Sequence, residues 1–333
     1  MAPALAASLQ ETQGGLYGPA SDDGTYAYKL ERYRLARPEI LIVGSRRMSG
    51  LPGEAFATTA YNAAGAVASL DQLSTFVREA VALHAPKSIL IGLDFWWFNP
   101  AALPVPAPAP DTQDFAAHLV DPPLWLLTGK VSPSAWLHGL LPTTDRARGI
   151  GALAILNGQG WDAYGRYDGP EPDDEPDGLR DVRVAPSPAA LQQLTDLIAE
   201  LNDKSVEVIL MMPPMASSLR ASLAKDPDNR LIPLWRDAIR PLGQRVFDFD
   251  DIVVLGSSDC EFVDDLSAGE VAYLRTLDAI AEFGGTILSQ SIDRDMVTSL
   301  IASNAGHTRL VELLPSGAPP EAPFRDSGCD KGH

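Results

Sequence analysis

The sequence predicts an α/β fold, a flavodoxin-like three-layer α/β/α sandwich built on a mostly parallel five-stranded sheet. Short apolar runs that are typical of buried strands alternate along the chain with longer segments of helical periodicity. Hydrophobic residues make up 45% of the 333 residues, which is enough to form a sizeable core. The predicted strands are Ile40–Val43, a strand that begins at Ala57 and runs into a loop ending at Gly65, Ser88–Gly92, Val206–Met212 and Arg245–Phe249.

The first predicted strand is followed at once by Gly44, Ser45, Arg46 and Arg47. Gly44 allows the backbone to turn sharply because it has no Cβ atom that could clash. Ligands and catalytic groups of an open α/β sheet lie in the loops after the carboxyl ends of its strands. This stretch is therefore the first candidate for a functional cleft, and an ordinary exposed turn is the alternative that fits the same residues.

A βαβ unit is predicted over the second and third strands. Ser69 is a suitable N-cap residue, Asp71 places a favourable charge in the first helical turn, and an apolar stripe then continues to about His84. A strand, a helix and a strand in this order normally form a right-handed parallel crossover. Further helices are predicted at residues 28–35, 188–202, 216–224, 233–241, 268–283 and 293–302.

The predicted α/β domain covers residues 28–314 and contains one insertion. Residues 1–27 are expected to be an irregular N-terminal segment, and residues 315–333, rich in Pro, Gly and charge, a disordered tail. Residues 100–186 interrupt the alternation of strands and helices with a Pro/Ala-rich stretch, apolar pieces and an acidic run. We interpret this region as an inserted cap over one end of the sheet.

The composition argues against several classes of function. A formal net charge of −18 and a pI of about 4.6 disfavour nonspecific binding to nucleic acid and docking on anionic lipid. Two cysteines are too few for a disulfide scaffold or a Cys-based zinc site, and the five histidines form no HxxxH or HxH pair. We therefore expect no metal site, and the lack of a P-loop or a GxGxxG motif predicts no nucleotide cofactor.

No membrane segment is expected. No run of the chain reaches the roughly 20 apolar residues of a transmembrane helix. The apolar start at residues 1–9 is short and lacks the basic region of a signal peptide. The oligomeric state and the cellular location stay open at this point.

Four short blocks follow the predicted strands in a recognisable order. They read Ile-Leu-Ile-Val-Gly-Ser-Arg-Arg (residues 40–47), Tyr-Asn-Ala-Ala-Gly (61–65), Ile-Gly-Leu-Asp-Phe (91–95) and Phe-Val-Asp-Asp-Leu-Ser-Ala-Gly-Glu (262–270). Their joint order and spacing resemble the SGNH/GDSL hydrolase superfamily over residues 28–310. The chain is most similar to bacterial members associated with the cell envelope, whose first block reads Gly-x-Ser-Arg and which are often extracytoplasmic or membrane-anchored. The resemblance implies ester hydrolysis or acyl transfer, with a small-molecule ester or an acylated cell-envelope carbohydrate as substrate.

The same resemblance implies a serine nucleophile and an Asp-x-x-His pair that supplies the base and its orienting carboxylate. The nucleophile position falls on Arg46, with Ser45 one residue earlier, and arginine cannot act as a nucleophile. The aspartate position falls on Asp264, whereas the histidine position falls on Ser267. The nucleophile and the histidine of the triad, which act together, are thus both substituted. This predicts weakened or absent triad chemistry.

The oxyanion hole of this superfamily takes backbone N–H groups of the serine and of a second-block glycine, and an asparagine side chain from the third block. The glycine position falls on Gly65, which is kept. The asparagine position falls near Asp94, which accepts hydrogen bonds when ionised and does not donate them. Asn99 is the nearest asparagine but has a different spacing, and Gly44 completes the predicted cleft.

Two hypotheses for the function follow. In the first, the chain is an esterase or acyltransferase in which Ser45 acts as the nucleophile and His307 or His84 moves in as the base. In the second, the chain is a non-catalytic ligand-binding or carbohydrate-binding protein that uses the same cleft.

The second hypothesis assigns ligand binding to Arg46, Arg47 and Trp97. An arginine fork suits a carboxylate, sulfate or phosphate group, and an indole ring suits the face of a sugar. Structural alternatives exist for several of the candidate residues. Asp264 and Ser267 could cap the helix that follows them, and at least one of Trp96 and Trp97 is expected to pack in the core.

Overall fold

Five parallel strands form a sheet in the spatial order β2-β1-β3-β4-β5. The computed structural model describes residues 25–100, 185–225, 230–242 and 245–310, together with the isolated positions 7, 8 and 127. The strands are β1 (Ile40–Val43), β2 (Ala60–Asn62), β3 (Ser88–Gly92), β4 (Glu207–Met212) and β5 (Arg245–Asp248). The predicted α/β class and the parallel five-stranded sheet are confirmed.

Helices cover both faces of the sheet and complete the three layers. The helices whose apolar residues pack on one face are α1 (Thr25–Ala36), α2 (Leu70–Leu83), α3 (Pro188–Asp203), α4 (Ser217–Lys225) and α5 (Leu231–Ile239). Those on the other face are α6 (Glu270–Phe283), α7 (Ile287–Ser291) and α8 (Arg294–Asn304). Each strand serves both layers, because Leu41 and Val43 enter the first core while Ile40 and Ile42 enter the second.

Short sequence patterns predicted several elements in the first part of the fold correctly. The bounds of β1 and β3 are those predicted, since each is a continuous apolar run that ends at a glycine. Ser69 caps α2 by accepting a hydrogen bond from Gln72 N at 3.2 Å, as its position before the apolar stripe predicted. The second strand is shorter than its sequence suggested and covers only Ala60–Asn62.

The structure also differs from the predictions in two places. Helix α7 was not predicted, because five residues are too few to show a helical period; a capping box between Thr286 and Ser289 starts it. Residues 25–27, assigned to the irregular N-terminal segment, form the first turn of α1. The predicted cap at residues 100–186, apart from its two ends, and the tail at 315–333 lie outside the described residues.

Met48 packs tightly against the two glycines that end β1 and β3. A Cβ atom added to Gly44 would lie 2.7 Å from Met48 Cγ, and one added to Gly92 would lie 2.5 Å from the same atom. Such distances are well inside van der Waals contact, so neither position accepts a side chain without movement of Met48, which is fully buried. The two glycines therefore let the turn after β1 lie directly over the end of β3.

None of the described helices combines the length and the apolar character needed to cross a bilayer. Cys260, in the loop that leads to α6, is disulfide-bonded. The only other cysteine of the sequence, Cys329, lies outside the described residues.

Candidate functional site

The candidate site lies where β1 and β3 end side by side. In this strand order the chain places β2 on one side of β1 and β3 on the other, which makes the β1/β3 boundary the topological switch point of the sheet. Open α/β sheets bind their ligands at this point. Ser45 and the 3-10 turn Arg46–Gly50 follow β1, and Asp94 follows β3. The sequence therefore placed the candidate cleft at the position that the topology also favours.

Arg47 is buried at the base of the site and joins four segments of the chain. Its Nη1 donates to Asp94 Oδ1 at 2.8 Å, and its Nε donates to Leu266 O at 3.0 Å. Its Nη2 donates to Pro213 O at 2.8 Å and to Pro214 O at 3.0 Å. The planar guanidinium thus connects the ends of β1, β3 and β4 with the loop before α6, which a lysine with a single ammonium group could not do.

These contacts revise the prediction that Arg47 binds a ligand. Its side chain is only 4% exposed, and its Cζ lies 5.3 Å from the centroid of the Trp96 ring. Its backbone carbonyl also accepts a hydrogen bond from the Tyr273 hydroxyl at 2.5 Å, which attaches the turn to α6. Arg47 is therefore a structural residue of the site, and the neighbouring Arg46, which is exposed, is the arginine of this pair that faces solvent.

Asp94 is completely buried beside Arg47. Burial raises the pKa of its carboxyl above the usual value, while the charge of Arg47 and hydrogen bonding from Ser45 and Arg47 oppose this increase. The Ser45 hydroxyl is close enough to favour the charged carboxylate, yet Asp94 Oδ2 has no partner within hydrogen-bond distance. We therefore regard the contact between Ser45 and Asp94 as a weak one. Bound to Arg47 as an acceptor, Asp94 supplies no oxyanion donor.

Ser45 has a local structural role in addition to its position in the cleft. Its Oγ accepts a hydrogen bond from Arg47 N at 3.3 Å and so caps the 3-10 turn. Its side chain is half-buried and faces Asp94. The contacts that the structure gives for this hydroxyl thus involve a backbone N–H and a carboxylate, and no histidine.

The two histidines proposed as alternative bases lie elsewhere. His84 ends α2 and precedes β3, so it lies at the amino edge of the sheet, a strand length away from Ser45; its carbonyl accepts a hydrogen bond from the Tyr33 hydroxyl at 2.6 Å. A role of His84 as the base for Ser45 is wrong on this topology. His307 follows α8 and donates from its backbone N to Asn304 O at 3.0 Å. No contact in the described part of the chain joins His307 to Ser45.

The loop with the predicted Asp-x-x-His pattern does reach the site, through Leu266. Asp264 Oδ1 accepts hydrogen bonds from Leu266 N at 2.9 Å and from Ser267 N at 2.6 Å, which closes a tight local turn. The N-cap residue of α6 is Gly269, so the alternative that Asp264 or Ser267 caps this helix is wrong. In this turn the Asp264 carboxylate binds backbone N–H groups at the position where the superfamily pattern expects an aspartate that orients a histidine.

Gly65, which the resemblance assigns to the oxyanion hole, lies beside Arg46. Its φ of +81° is the left-handed conformation that favours glycine, and a Cβ atom here would lie 3.4 Å from Arg46 Cγ. Its backbone N–H donates to Gly44 O at 3.1 Å. The N–H group that the resemblance assigns to the oxyanion hole is therefore already paired with the end of β1.

Trp97 and Asn99 are buried rather than presented to a ligand. Both belong to the segment after Asp94, in which residues Phe95–Phe98 form a 3-10 turn and Asn99 ends it. The Trp97 side chain is 7% exposed and packs in the core between the sheet and the first helical layer. The prediction that Trp97 forms a sugar platform is therefore revised, because an exposed ring face is what stacking on a sugar requires.

Lys29 is a member of the site region that the sequence did not reveal. It lies on α1, is almost fully buried, and has Arg46 close enough to act on its charge. Burial lowers the pKa of Lys29 to about 7, and the positive charge of Arg46 lowers it further in the same direction. A lysine on a short helix gives no sequence signal for this, because only the packing of α1 on the sheet decides which of its polar residues are buried.

Comparison of the chain with protein-family models, with curated proteins and with solved structures gives no significant match. Among the described residues, no three His, Cys, Asp or Glu side chains are grouped in a way that could hold a metal ion.

We expect Arg47→Ala to lower the free energy of unfolding by about 3–5 kcal/mol, because it leaves the buried Asp94 carboxylate without its counter-charge. The matched control is Arg46→Ala, which removes the exposed neighbouring arginine and should change this free energy by no more than about 0.5 kcal/mol. Urea unfolding at pH 7 measures both. Arg47→Lys, which keeps the charge but loses the fork, should fall between them; equal stability of Arg47→Ala and Arg46→Ala would contradict the structural role.

The lowered pKa of Lys29 predicts a dependence of stability on pH. Between the folded pKa of about 7 and the ordinary value of 10.5, the unfolded chain binds a proton that the folded chain lacks. Stability therefore rises with pH in this window, by at most about 1.4 kcal/mol per unit, and the contribution of Lys29 levels off below pH 7, where both states bind the proton.

Urea unfolding of the parent and of Lys29→Met at pH 7, 8 and 9 tests this dependence. The difference in unfolding free energy should move in favour of the parent as the pH increases. Lys87→Met, at an exposed lysine paired with Glu39, is the control and should follow the parent. A pH-independent difference between the parent and Lys29→Met would refute the prediction.

Proposed function

We propose that this chain is an SGNH-like protein whose cleft at the β1/β3 switch point binds a ligand, with Ser–His–Asp turnover weakened or lost. The observation that supports this proposal is the buried ion pair of Arg47 and Asp94 behind Ser45. It holds Asp94, at the position where the superfamily pattern expects an oxyanion donor, as the acceptor of a hydrogen bond from Arg47. Ser267, at the expected histidine position, carries a hydroxyl group that cannot act as a base near neutral pH.

The ligand that fits the cleft is an anionic carbohydrate. Arg46 is exposed next to Ser45, and the buried Lys29 lies within its electrostatic reach. In a chain with a formal net charge of −18, the Arg46 guanidinium beside a lysine that can take up a proton forms a local region that favours anions. A carboxylate, such as that of a uronic acid, would be attracted to this region, and the arginine fork can bind it through two hydrogen bonds.

A second candidate is ester hydrolysis or acyl transfer on acylated carbohydrate of the cell envelope, the activity that the resemblance implies. One contact favours it: the Ser45 hydroxyl faces Asp94, whose pKa is raised by burial. A carboxylate with a raised pKa is a better general base near neutral pH than an exposed one. The disulfide bond at Cys260 suits an oxidising compartment, which agrees with a place in the cell envelope for either candidate.

Turnover of p-nitrophenyl acetate separates the two candidates. We expect the parent to show no turnover above the rate of Ser45→Ala, because the hydroxyl has no histidine to accept its proton. The double variant Arg46→Ser with Ser267→His should gain activity if the loss of the triad is what silenced the site. Turnover in the parent that both Ser45→Ala and Asp94→Asn abolish, with folding checked by circular dichroism, would establish the enzyme candidate instead.

Calorimetry with trigalacturonate and with neutral maltotriose tests the ligand class. The parent should bind the anionic trimer at least tenfold more tightly, and Arg46→Met should remove this preference. Arg34→Met, which deletes an exposed arginine of α1 that pairs with Glu31, is the matched control and should keep it.

At pH 8 the binding of the anionic trimer should also be accompanied by proton uptake. An anion near Lys29 raises the pKa of Lys29 from about 7, and a buffer with a different ionisation enthalpy reveals the proton in the heat of binding. Equal affinity for the two trimers, or binding that Arg46→Met leaves unchanged, would reject the anionic ligand.

A further inference from the structure

A cavity of about 340 Å³ lies between α4 and α5, beyond the carboxyl ends of β4 and β5. This volume suits a small organic ligand, and α/β proteins bind ligands at this edge of the sheet. The wall combines three apolar side chains with two guanidinium groups and a single carboxyl group. These residues are Leu223, Ile232, Pro233, Arg220, Arg236 and Asp250.

The wall formed by α4 is anchored at its amino end. The carboxylate of Asp259 accepts hydrogen bonds from Ser217 N at 2.6 Å and from Ser218 N at 3.1 Å, which fixes the first turn of this helix. Met215, which precedes the helix and also lines the cavity, forms a bridge with Asp251 beyond β5. The cavity is therefore formed before any ligand enters, as is usual for small-molecule sites.

Cations outnumber carboxyl groups among the residues that line the cavity. Both guanidinium groups bind the same atom, Asp250 Oδ2, which lies 2.5 Å from Arg236 and 3.4 Å from Arg220. Their other partners, Asp248 for Arg236 and Asp251 for Arg220, do not line the cavity. Both of these carboxylates are partly exposed, so water screens their charges more than that of Asp250.

The single carboxyl group of the wall takes up a proton more readily than an ordinary aspartate. Burial and the charge of Asp248 raise the pKa of Asp250, against the opposing effect of Arg236. The carboxyl groups of Asp250 and Asp248 are also hydrogen-bonded to each other, which requires a proton on one of them because ionised carboxylates only accept hydrogen bonds. A proton on Asp250 removes the negative charge from the wall and leaves the two guanidinium groups in excess.

Each guanidinium group also keeps a terminal nitrogen outside its ion pairs. Arg220 uses Nε and Nη1 in its two pairs, and Arg236 uses Nε and Nη2. Nη2 of Arg220 and Nη1 of Arg236 enter none of these four pairs. Guanidinium nitrogens only donate hydrogen bonds, and their strongest acceptors are charged oxygens. One such donor from each helix suits the two oxygens of a carboxylate.

We propose that this cavity is a second ligand site, which takes a small monocarboxylic acid with its carboxylate between Arg220 and Arg236 and its apolar body against Leu223 and Ile232. The two arginines provide the charge and the donors, and the apolar body is stabilised because it loses contact with water. No residue of the candidate cleft lines this cavity, so the inference does not depend on the function proposed for the cleft.

Calorimetric titration at neutral pH with matched probes tests the charge requirement. Sodium benzoate, benzamide and benzylammonium chloride have similar shapes but carry negative, zero and positive charge. We expect saturable binding of benzoate with a Kd about fivefold or more below that of benzamide, and no measurable binding of benzylammonium. Benzamide or benzylammonium binding as tight as that of benzoate, or no binding of benzoate at all, would overturn the proposal.

Sodium acetate tests the contribution of the apolar wall. Acetate carries the same charged group as benzoate but has almost no apolar surface to remove from water. It should therefore bind about tenfold or more weakly than benzoate. Equal affinity for acetate and benzoate would contradict the role of Leu223 and Ile232.

Two arginine variants test the location. Arg220 and Arg78 have side chains that are 47% and 46% exposed and pair with carboxylates, but only Arg220 lines the cavity. Arg220→Met should weaken benzoate binding about tenfold or more, whereas Arg78→Met should keep the parent affinity. Equal affinity of these two variants would reject the site.

A second pair of variants separates this site from the cleft, where Arg46 also suits a carboxylate. Ala224 lines the cavity and Ser222, exposed on the same helix, does not. Ala224→Phe should fill part of the cavity and weaken benzoate binding about tenfold, while Ser222→Phe keeps the parent affinity. Benzoate binding that Arg46→Met removes and Ala224→Phe leaves intact would place the carboxylate in the cleft and overturn this inference.

Discussion

The hydrogen bonds of the Arg47 side chain are the interaction on which the candidate site depends. One guanidinium group accounts for the relative positions of four loops, because it binds Asp94 after β3, two carbonyls after β4 and Leu266 before α6. Three of these loops follow the strands β1, β3 and β4, and the fourth precedes helix α6. The side chain of Arg47 therefore holds the loops at the carboxyl ends of the strands together. A buried charge of this kind is costly to desolvate, and the contacts with Asp94 and the carbonyls offset that cost.

This arrangement gives Arg46 and Arg47, in the block at residues 40–47, different roles that their sequence positions do not predict. The sequence places Arg46 and Arg47 together after a strand and cannot tell them apart. In the fold, the 3-10 turn directs them in opposite ways, Arg47 into the base of the site and Arg46 toward solvent. The tight contact of Met48 with Gly44 and Gly92 sets this turn in place, and it is a packing effect between residues far apart in sequence.

Much of the scaffold could be predicted from the sequence, because several of its strands and helices are marked by their own residues. The strands Ile40–Val43 and Ser88–Gly92 are fully buried runs that end at glycine, and Ser69 is followed by an apolar period, so each carries its own signal. The strand order that sets the switch point is not visible in the sequence, which marks the loop after β1 only through Gly44 and the polar residues that follow it. What the sequence could not supply is burial: Trp97 lies inside the core, the N–H of Gly65 is used by Gly44, and Lys29 loses its water when α1 packs. Each of these three features depends on contacts with residues that are distant in the sequence, and a local sequence pattern does not predict such contacts.

The contacts of Arg47 also bear on the order in which the chain folds. They join residues 47, 166 and 219 positions apart, so the loops that they close are long. The entropy of closing such loops must be overcome before the bonds can form, and it falls only when β1, β3 and β4 are already paired. We therefore expect the guanidinium group to meet its partners at a late step, after the sheet has formed. Its charge would stay hydrated until then, and the site at the sheet edge would be among the last parts of the molecule to become ordered.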